Sequence, residues 1–307
     1  MKILIVAKQK SGTFSPFITE QVSSIRQFGI DIDYYGIEGK GIRGYLKSIP
    51  TLISKINSFK PDLIHAHYGL SGFLANIQRK IPVITTYHGS DIHSGGWVSR
   101  ISKITMRLSA FNIVVSKRLL EISKYKGGNI CIQPCGINLD KISSIPIEIA
   151  RESLNIPIDE KICLFSSAFD NEVKNFPLAQ NAVKKIPHLG IRELKGFSRE
   201  EVVYMINSAN LLIMTSFNEG SPQVIKEAMA CGTPIVSVNV GDVKDILGKT
   251  EGCYIAESNP DDLADKITKA LSFNRKTSGR QRIFELGLDN RTVAKNIIDI
   301  YRQVIGK

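Results

Sequence analysis

Eleven short, almost uninterrupted runs of Ile, Val and Leu, separated by segments of helical apolar period, constrain this chain more than any other feature. In the first half they cover residues 2–7, 31–37, 62–66, 82–87, 111–115 and 129–133, with helix-period stretches such as 42–58 and 97–109 between them. In the second half they cover 161–166, 190–194, 210–215, 234–237 and 252–255. A strand without alternating polar positions is buried on both faces, and a strand–helix–strand rhythm supplies the helices that cover it. The pattern predicts parallel sheets in a doubly wound α/β fold. One sheet of this many strands exceeds ordinary domain size, so two Rossmann-like domains are expected. Ile145-Pro146, Ile156-Pro157 and a charged stretch interrupt the rhythm near 141–158. The expected division is therefore 1–145 and 146–289, with a last helix, 290–307, packing back on the first domain.

With 307 residues, 43% of them hydrophobic, the chain can build two cores. No apolar run approaches the roughly 18–20 residues that span a bilayer. Ile3–Ala7 is too short for a signal-peptide core and reads as a first strand. Cys131, Cys135, Cys163, Cys231 and Cys253 are odd in number and lack CxxC spacing, which argues against a disulfide frame or zinc and for reduced thiols in a cytoplasmic protein. The net charge of +11 is lopsided: residues 1–140 carry 18 basic and 8 acidic side chains, residues 141–307 carry 22 and 21. The first half therefore calls for an anionic partner, either a membrane surface or a phosphorylated acceptor. Nucleic acid is not expected, because no aromatic-basic interleaving or known module accompanies the charge.

The segment 210–238, NLLIMTSFNEGSPQVIKEAMACGTPIVSV, carries the strongest local signal. A strand feeds a loop ending at Ser221, which is placed to cap a helix whose first residue is Pro222. Gly232 ends that helix and Pro234 opens the next strand. A helix N-terminus at the C-terminal edge of a parallel strand is an anion site, and a diphosphate fits it. Glu219 and Glu227 frame the site; as acceptor-only carboxylates they suit sugar or ribose hydroxyls, although their spacing alone equally allows a loop charge and a solvated helix residue.

Glu219 and Glu227 form an E-x7-E arrangement, and the segment resembles the donor-binding signature of the retaining glycosyltransferases of family 4. PDLIHAHYGLSG (61–72), ITTYHGSDI (84–92), IVVSKRLLE (113–121), IQPCGIN (132–138) and VKNFPLAQNAV (173–183) follow in the family's order. EGSPQVIKEAMACGTPIVSVNVGDV (219–243) looks like the subgroup of bacterial surface-polysaccharide and teichuronic acid transferases. The resemblance implies two domains facing across a cleft (the GT-B architecture), with a nucleoside-diphosphate sugar as donor and no metal or other cofactor. It implies that Glu227 binds the ribose, that Glu219 contacts the donor sugar and that Lys174 neutralises the diphosphate. Gly220, Ser221, Pro222 and Gln223 stand where the family commonly has Gly-Phe-Gly-Leu, and Gly196 lies in the loop near the base. His88 matches a histidine that reaches the donor sugar, and Gly12 a loop glycine near the diphosphate. One departure matters: Ser167-Ala168 stands where a Gly-Arg pair is usual, leaving Lys195 or Arg199 as candidate replacement cations.

On the acceptor side, Trp97, Ile101, Ile104 and Leu108 fall on one face of a helix, with Arg100, Lys103 and Arg107 beside them. The stripe suits either a membrane interface or, as the fold's need for a covering helix suggests, the protein's own sheet. Asp91 is expected to orient its loop, and His65, His67, His88 and His93 lack the spacing of a metal site. The reading is a hexosyl- or N-acetylhexosaminyl-transferase using a UDP-sugar, ahead of a GDP-sugar, and a lipid-linked or surface-polysaccharide acceptor. It places the protein in the cytoplasm or peripherally on the inner membrane face. Two alternatives remain: a nucleotide-sugar 2-epimerase, and a catalytically silent sugar-nucleotide or glycan-binding partner of an assembly complex. The oligomeric state is left open.

Overall fold

A computed structural model describes residues 1–38, 41–93 and 95–306. Each of the eleven apolar runs forms a strand: β1 Lys2–Lys8, β2 Asp31–Ile37, β3 Leu63–His67, β4 Val83–Tyr87, β5 Phe111–Val114 and β6 Ile130–Ile132, then β7 Lys161–Phe165, β8 Leu189–Glu193, β9 Leu211–Met214, β10 Ile235–Val238 and β11 Cys253–Ala256. They build two wholly parallel sheets, ordered β2-β1-β3-β4-β5-β6 and β11-β10-β9-β7-β8. Both orders reverse direction beside the first strand of their unit, the doubly wound pattern that gathers ligand groups at the C-terminal strand ends.

The first unit comprises Met1–Gly136 and Asn290–Lys307, the second Ile137–Asp289. Strand β1 shows why both faces of the first sheet are apolar. Ile3 and Ile5 pack with the Pro16–Arg26 helix and with Val293, Ala294, Ile297, Ile298 and Tyr301 of the last helix, Asn290–Ile305. Leu4 and Val6, one residue out of phase, meet Leu52 and Ile56 of the Gly41–Phe59 helix and Leu74 of the Gly69–Asn76 helix.

Residues 137–145 belong to the second unit. Ile137, Leu139 and Ile142 lie in its core. The Arg280 guanidinium donates to the Leu139 and Ile142 carbonyls at 2.8 Å each. Asn207 accepts the Ile145 amide at 2.9 Å and donates to the Ser143 carbonyl at 3.0 Å. Pro146 thus marks the start of the Ile147–Ser153 helix, not the division between units.

The Gly96–Leu108 helix departs from one expectation: half of its apolar stripe, Trp97 and Ile104, is exposed, while Ile101 and Leu108 are half-buried. It buries Ser99, Ser102, Thr105 and Met106, while Trp97 and Ile104 are 46% and 45% exposed. The cause lies in its neighbour, the glycine-bearing Gly69–Asn76 helix. A Cβ on Gly69 would stand 2.0 Å from Ser102 Oγ, and one on Gly72 would stand 2.4 Å from Thr85 Oγ1. Backbones this close leave room only for small side chains, and Thr105 Oγ1 fastens the contact by donating to the Gly69 carbonyl at 2.9 Å.

Candidate functional site

In the second unit the loop after β9 is stitched to the turn that follows β7. Thr215 Oγ1 hydrogen-bonds to the carbonyls of Lys174 and Asn175 at 3.0 and 2.9 Å, and the Phe217 amide donates to the Val173 carbonyl at 2.9 Å. These bonds hold Lys174, at the end of the short Glu172–Lys174 turn, with its Nζ 2.5 Å from Glu219 Oε1. Both side chains are mostly buried, at 20% and 14% exposure.

The chain then enters the Gln223–Cys231 helix, which Gly232 closes with a left-handed φ of 71°. Ser221 does not cap it. Pro222 occupies the cap position without a side-chain hydrogen bond. Gly241 passes so close to the Gly220 carbonyl that a Cβ there would approach it to 2.7 Å, fixing the loop so that the Ser221 hydroxyl turns inward beside Asp242. Backbone N–H groups at this helix start remain the natural anion donors.

Glu227 is no solvated helix residue; it is 4% exposed. Arg199 donates to its Oε1 at 2.5 Å from the first turn of the Arg199–Ser208 helix. A capping box formed by Ser198 and Glu201 sets where that helix, and so Arg199, begins. Of the two candidate replacement cations, Arg199 therefore reaches Glu227, whereas Lys195 is spent on exposed Asp170 at 2.6 Å. Gly196 takes a φ of +80° in an open loop before that helix.

Two charged residues escaped the sequence reading. Lys226 is fully buried, and its Nζ donates to Gln223 Oε1 at 2.9 Å. Asp242 is buried too, and burial pushes its carboxyl up to about 6, against the pull of Lys226 and the Ser221 hydroxyl. Among the described residues, the Ser221 hydroxyl and both Asp242 carboxylate oxygens are buried without a hydrogen bond of good geometry. Asp242 follows the Ile235–Val238 strand by a short loop at the C-terminal edge of a parallel sheet, but nothing in the local sequence marks it as buried.

The first unit gathers a column of imidazoles at its strand ends. His65 Nδ1 meets the Tyr301 hydroxyl at 2.6 Å and its Nε2 meets Thr86 Oγ1 at 2.7 Å. His67 stacks on His65 with ring centroids 4.6 Å apart, and His88 on His67 at 5.3 Å. His67 Nδ1 lies 3.0 Å from His88 Nε2, and His88 Nδ1 lies 3.8 Å from Cys135 Sγ. Phe17 and Tyr68 flank the His88 ring, each at 4.7 Å. Burial pushes His67 down to about 3 and His65 well below the usual histidine range, so both are neutral.

Asp91 orients the loop that carries His88: its carboxylate accepts the amides of Gly69 and Gly89 at 3.0 Å and of His88 at 3.2 Å. Burial nevertheless raises it to about 6. Beside this loop lies a cavity of about 830 Å³ whose walls include Lys8, Lys10, Tyr45, Tyr68, Asp91 and Val98. Gly12, with φ +75°, sits in the tight turn joining Lys10 to Thr13 next to this cavity and is not among its walls. Arg100, Lys103 and Arg107 are exposed on the Gly96–Leu108 helix. Among the described residues, no group of three or more His, Cys, Asp or Glu is placed to hold a metal ion.

The second unit can thus offer two cations, two carboxylates and a helix N-terminus to a phosphorylated, hydroxyl-rich ligand. A family model described as Glycosyltransferase Family 4 matches residues 18–141, and one described as Glycosyl transferases group 1 matches residues 190–283. A Bacillus subtilis (strain 168) protein named for teichuronic acid biosynthesis, the glycosyltransferase TuaC, is 27% identical over 237 residues; the match takes in 68% of this chain and 61% of TuaC. The chain thus spans about three fifths of that relative's length. In fold it is similar to a sucrose-phosphate synthase from Thermosynechococcus elongatus, with a TM-score of 0.84, 19% identity and 99% of both chains covered. It is also similar to Anabaena HepE in complex with UDP-glucose, with a TM-score of 0.77, 16% identity and coverage of 99% of this chain and all of that one.

Proposed function

The chain belongs to the family 4 and group 1 glycosyltransferases, and on that premise we propose that it moves a hexosyl or N-acetylhexosaminyl group from a UDP-sugar to a lipid-linked or cell-surface polysaccharide acceptor, retaining the anomeric configuration and needing no metal. One observation carries the proposal: Lys174 with Glu219 in the loop before the Gln223–Cys231 helix, and Arg199 with Glu227 on that helix, are compensated ion pairs. Each pair holds a cation for phosphate and a carboxylate for hydroxyls in place before the ligand arrives. In the proposed complex, Lys174 turns to the diphosphate and Glu219 to the sugar, while Glu227 takes the ribose.

A diphosphate gains negative charge as the glycosidic bond breaks, so a fixed ammonium stabilises the transition state more than the ground state. Arg199 supplies the second cation that Ala168 cannot. No protein nucleophile is assigned: the departing phosphate accepts the proton of the attacking hydroxyl, which joins the sugar on the face the leaving group vacates. His88, its plane held by His67, Phe17 and Tyr68, is the proposed polar group meeting the transferred sugar. UDP in the HepE complexes supports uridine over guanosine as the nucleotide.

Ala168 favours a second reading, a silent nucleotide-binding partner. Incubation with a panel of UDP- and GDP-sugars and a polyprenyl-diphosphate-linked acceptor, with EDTA present, separates the readings. The proposal expects UDP release and a product with the donor's anomeric configuration by NMR. Nucleotide binding without turnover gives the silent partner, and an epimerised nucleotide sugar formed without acceptor gives the epimerase.

A further inference from the structure

We propose that the outer face of the Gly96–Leu108 helix, with the Gly41–Phe59 helix that borders the same cavity, docks on an anionic bilayer surface. The observation behind it is the inverted packing of the first of these helices. A soluble helix ordinarily turns its apolar stripe inward; this one buries Ser99, Ser102, Thr105 and Met106 and presents Trp97 and Ile104 to solvent. Close approach of Gly69 and Gly72 enforces that orientation, so the stripe cannot turn inward without pushing two backbones apart. Arg100, Lys103 and Arg107 line one flank of the stripe. On the Gly41–Phe59 helix, Leu46 and Ile53 are exposed at 58% and 41%.

Charge selects the occupant. Residues 39–120, which contain both helices, carry twelve basic side chains against two acidic ones, Asp62 and Asp91. Asp91 is buried and committed to backbone amides. No carboxylate lies on either helix. A soluble polyanion would use the cations and leave Trp97, Leu46, Ile53 and Ile104 in water. A leaflet of anionic lipid uses both, taking tryptophan at the headgroup boundary and arginine and lysine at the phosphates. Each helix also gives a wall residue, Tyr45 and Val98, to the cavity that holds Lys8 and Lys10. Docking by this face sets that cavity's basic wall at the headgroup layer, where a lipid-linked phosphate resides.

Trp97 is the chain's one tryptophan, so the full chain reports its own docking. Expected with vesicles of mixed phosphatidylglycerol and phosphatidylcholine is a blue shift of Trp97 emission, quenching by lipids brominated along the acyl chain, and co-sedimentation. Phosphatidylcholine alone should give much weaker binding. The triple variant Arg100→Gln, Lys103→Gln, Arg107→Gln should lose about a hundredfold in partitioning, at roughly fivefold per basic residue. Ile104→Ser should lose several-fold while keeping the preference for anionic lipid. Circular dichroism melting confirms that the variants fold. No blue shift or quenching, or partitioning unchanged in the triple variant, overturns the proposal; so does salt-sensitive binding that leaves Trp97 emission where it was in buffer. Stabilisation by UDP, measured on the same proteins without vesicles, reads the donor site separately, so a failure of the membrane face and a failure of the transferase reading cannot be confused.

Discussion

In the first unit the strand ends close on neutral, buried imidazoles, while in the second they close on opposed charges held against each other. His65 and His67 are stripped of water and stacked, with Tyr301 and Thr86 taking both His65 nitrogens. Lys174 and Glu219, and Arg199 and Glu227, lie against each other in two ion pairs. A neutral stack is a fixed wall, since ionising any member must overcome burial. A compensated pair is exchangeable, because an incoming phosphate or hydroxyl can take over either partner's role without leaving the other bare. The contrast gives the first unit a rigid strand-end surface and the second unit a charged one.

The largest effect should come from breaking compensation. Lys174→Ala leaves Glu219 mostly buried without its cation and removes the ammonium proposed to meet the leaving diphosphate. Turnover should fall about a hundred- to a thousandfold, read as kcat with donor saturating. A fall of less than about threefold would mean that the second unit's charges are structural.

Acid should act on the neutral stack next. His67 titrates near 6.5 when unfolded and near 3 when folded, so the unfolded chain takes the proton first. Its contribution is full above pH 6.5 and is lost as pH falls toward 3, by about 3 kcal/mol at pH 4. Asp91 and Asp242, raised from 3.8 to about 6, work in the opposite sense: their contributions are full below pH 3.8 and lost as pH rises through 6. Urea unfolding at pH 7 and pH 4 should therefore show a change on acidification that is about 3 kcal/mol more favourable in His67→Gln than in the wild type. An equal change in both proteins would remove His67 from the neutral stack. Smaller still, Tyr301→Phe deletes the hydroxyl at His65 Nδ1 and should cost about 1–2 kcal/mol of stability with little change in kcat.

Much of the fold was legible because burial on both sheet faces writes itself into consecutive Ile, Val and Leu, as in Ile3–Val6 and Leu211–Met214. The strand–loop–helix segment that carries Glu219 and Glu227 was legible because its apolar strand and the Gly232 stop lie within one strand–helix unit. What stayed hidden depends on register and packing between distant segments. The Arg199–Glu227 pair joins two helices, and the meeting of His67 with His88 follows from the pairing of His67 with Thr86 across β3 and β4. The outward turn of Trp97 was unreadable from helical period alone, because period defines a stripe without saying which side the neighbour crowds. Gly69 and Gly72 held that information, but only once their helix was seen against Ser102 and Thr105. Asp242 was passed over for the same reason: nothing local distinguishes a buried carboxylate from a turn aspartate.

The central claim, that the second unit's paired charges receive a nucleoside diphosphate, is tested most directly by thermal unfolding with UDP, GDP and their sugars in EDTA, on the wild-type chain and on Glu227→Ala. Ligand at a hundred times its dissociation constant should add about 2.7 kcal/mol of apparent stability. The account predicts stabilisation of the wild type by UDP that EDTA leaves intact and Glu227→Ala abolishes. Stabilisation that survives in Glu227→Ala, or none with any nucleotide, would contradict it.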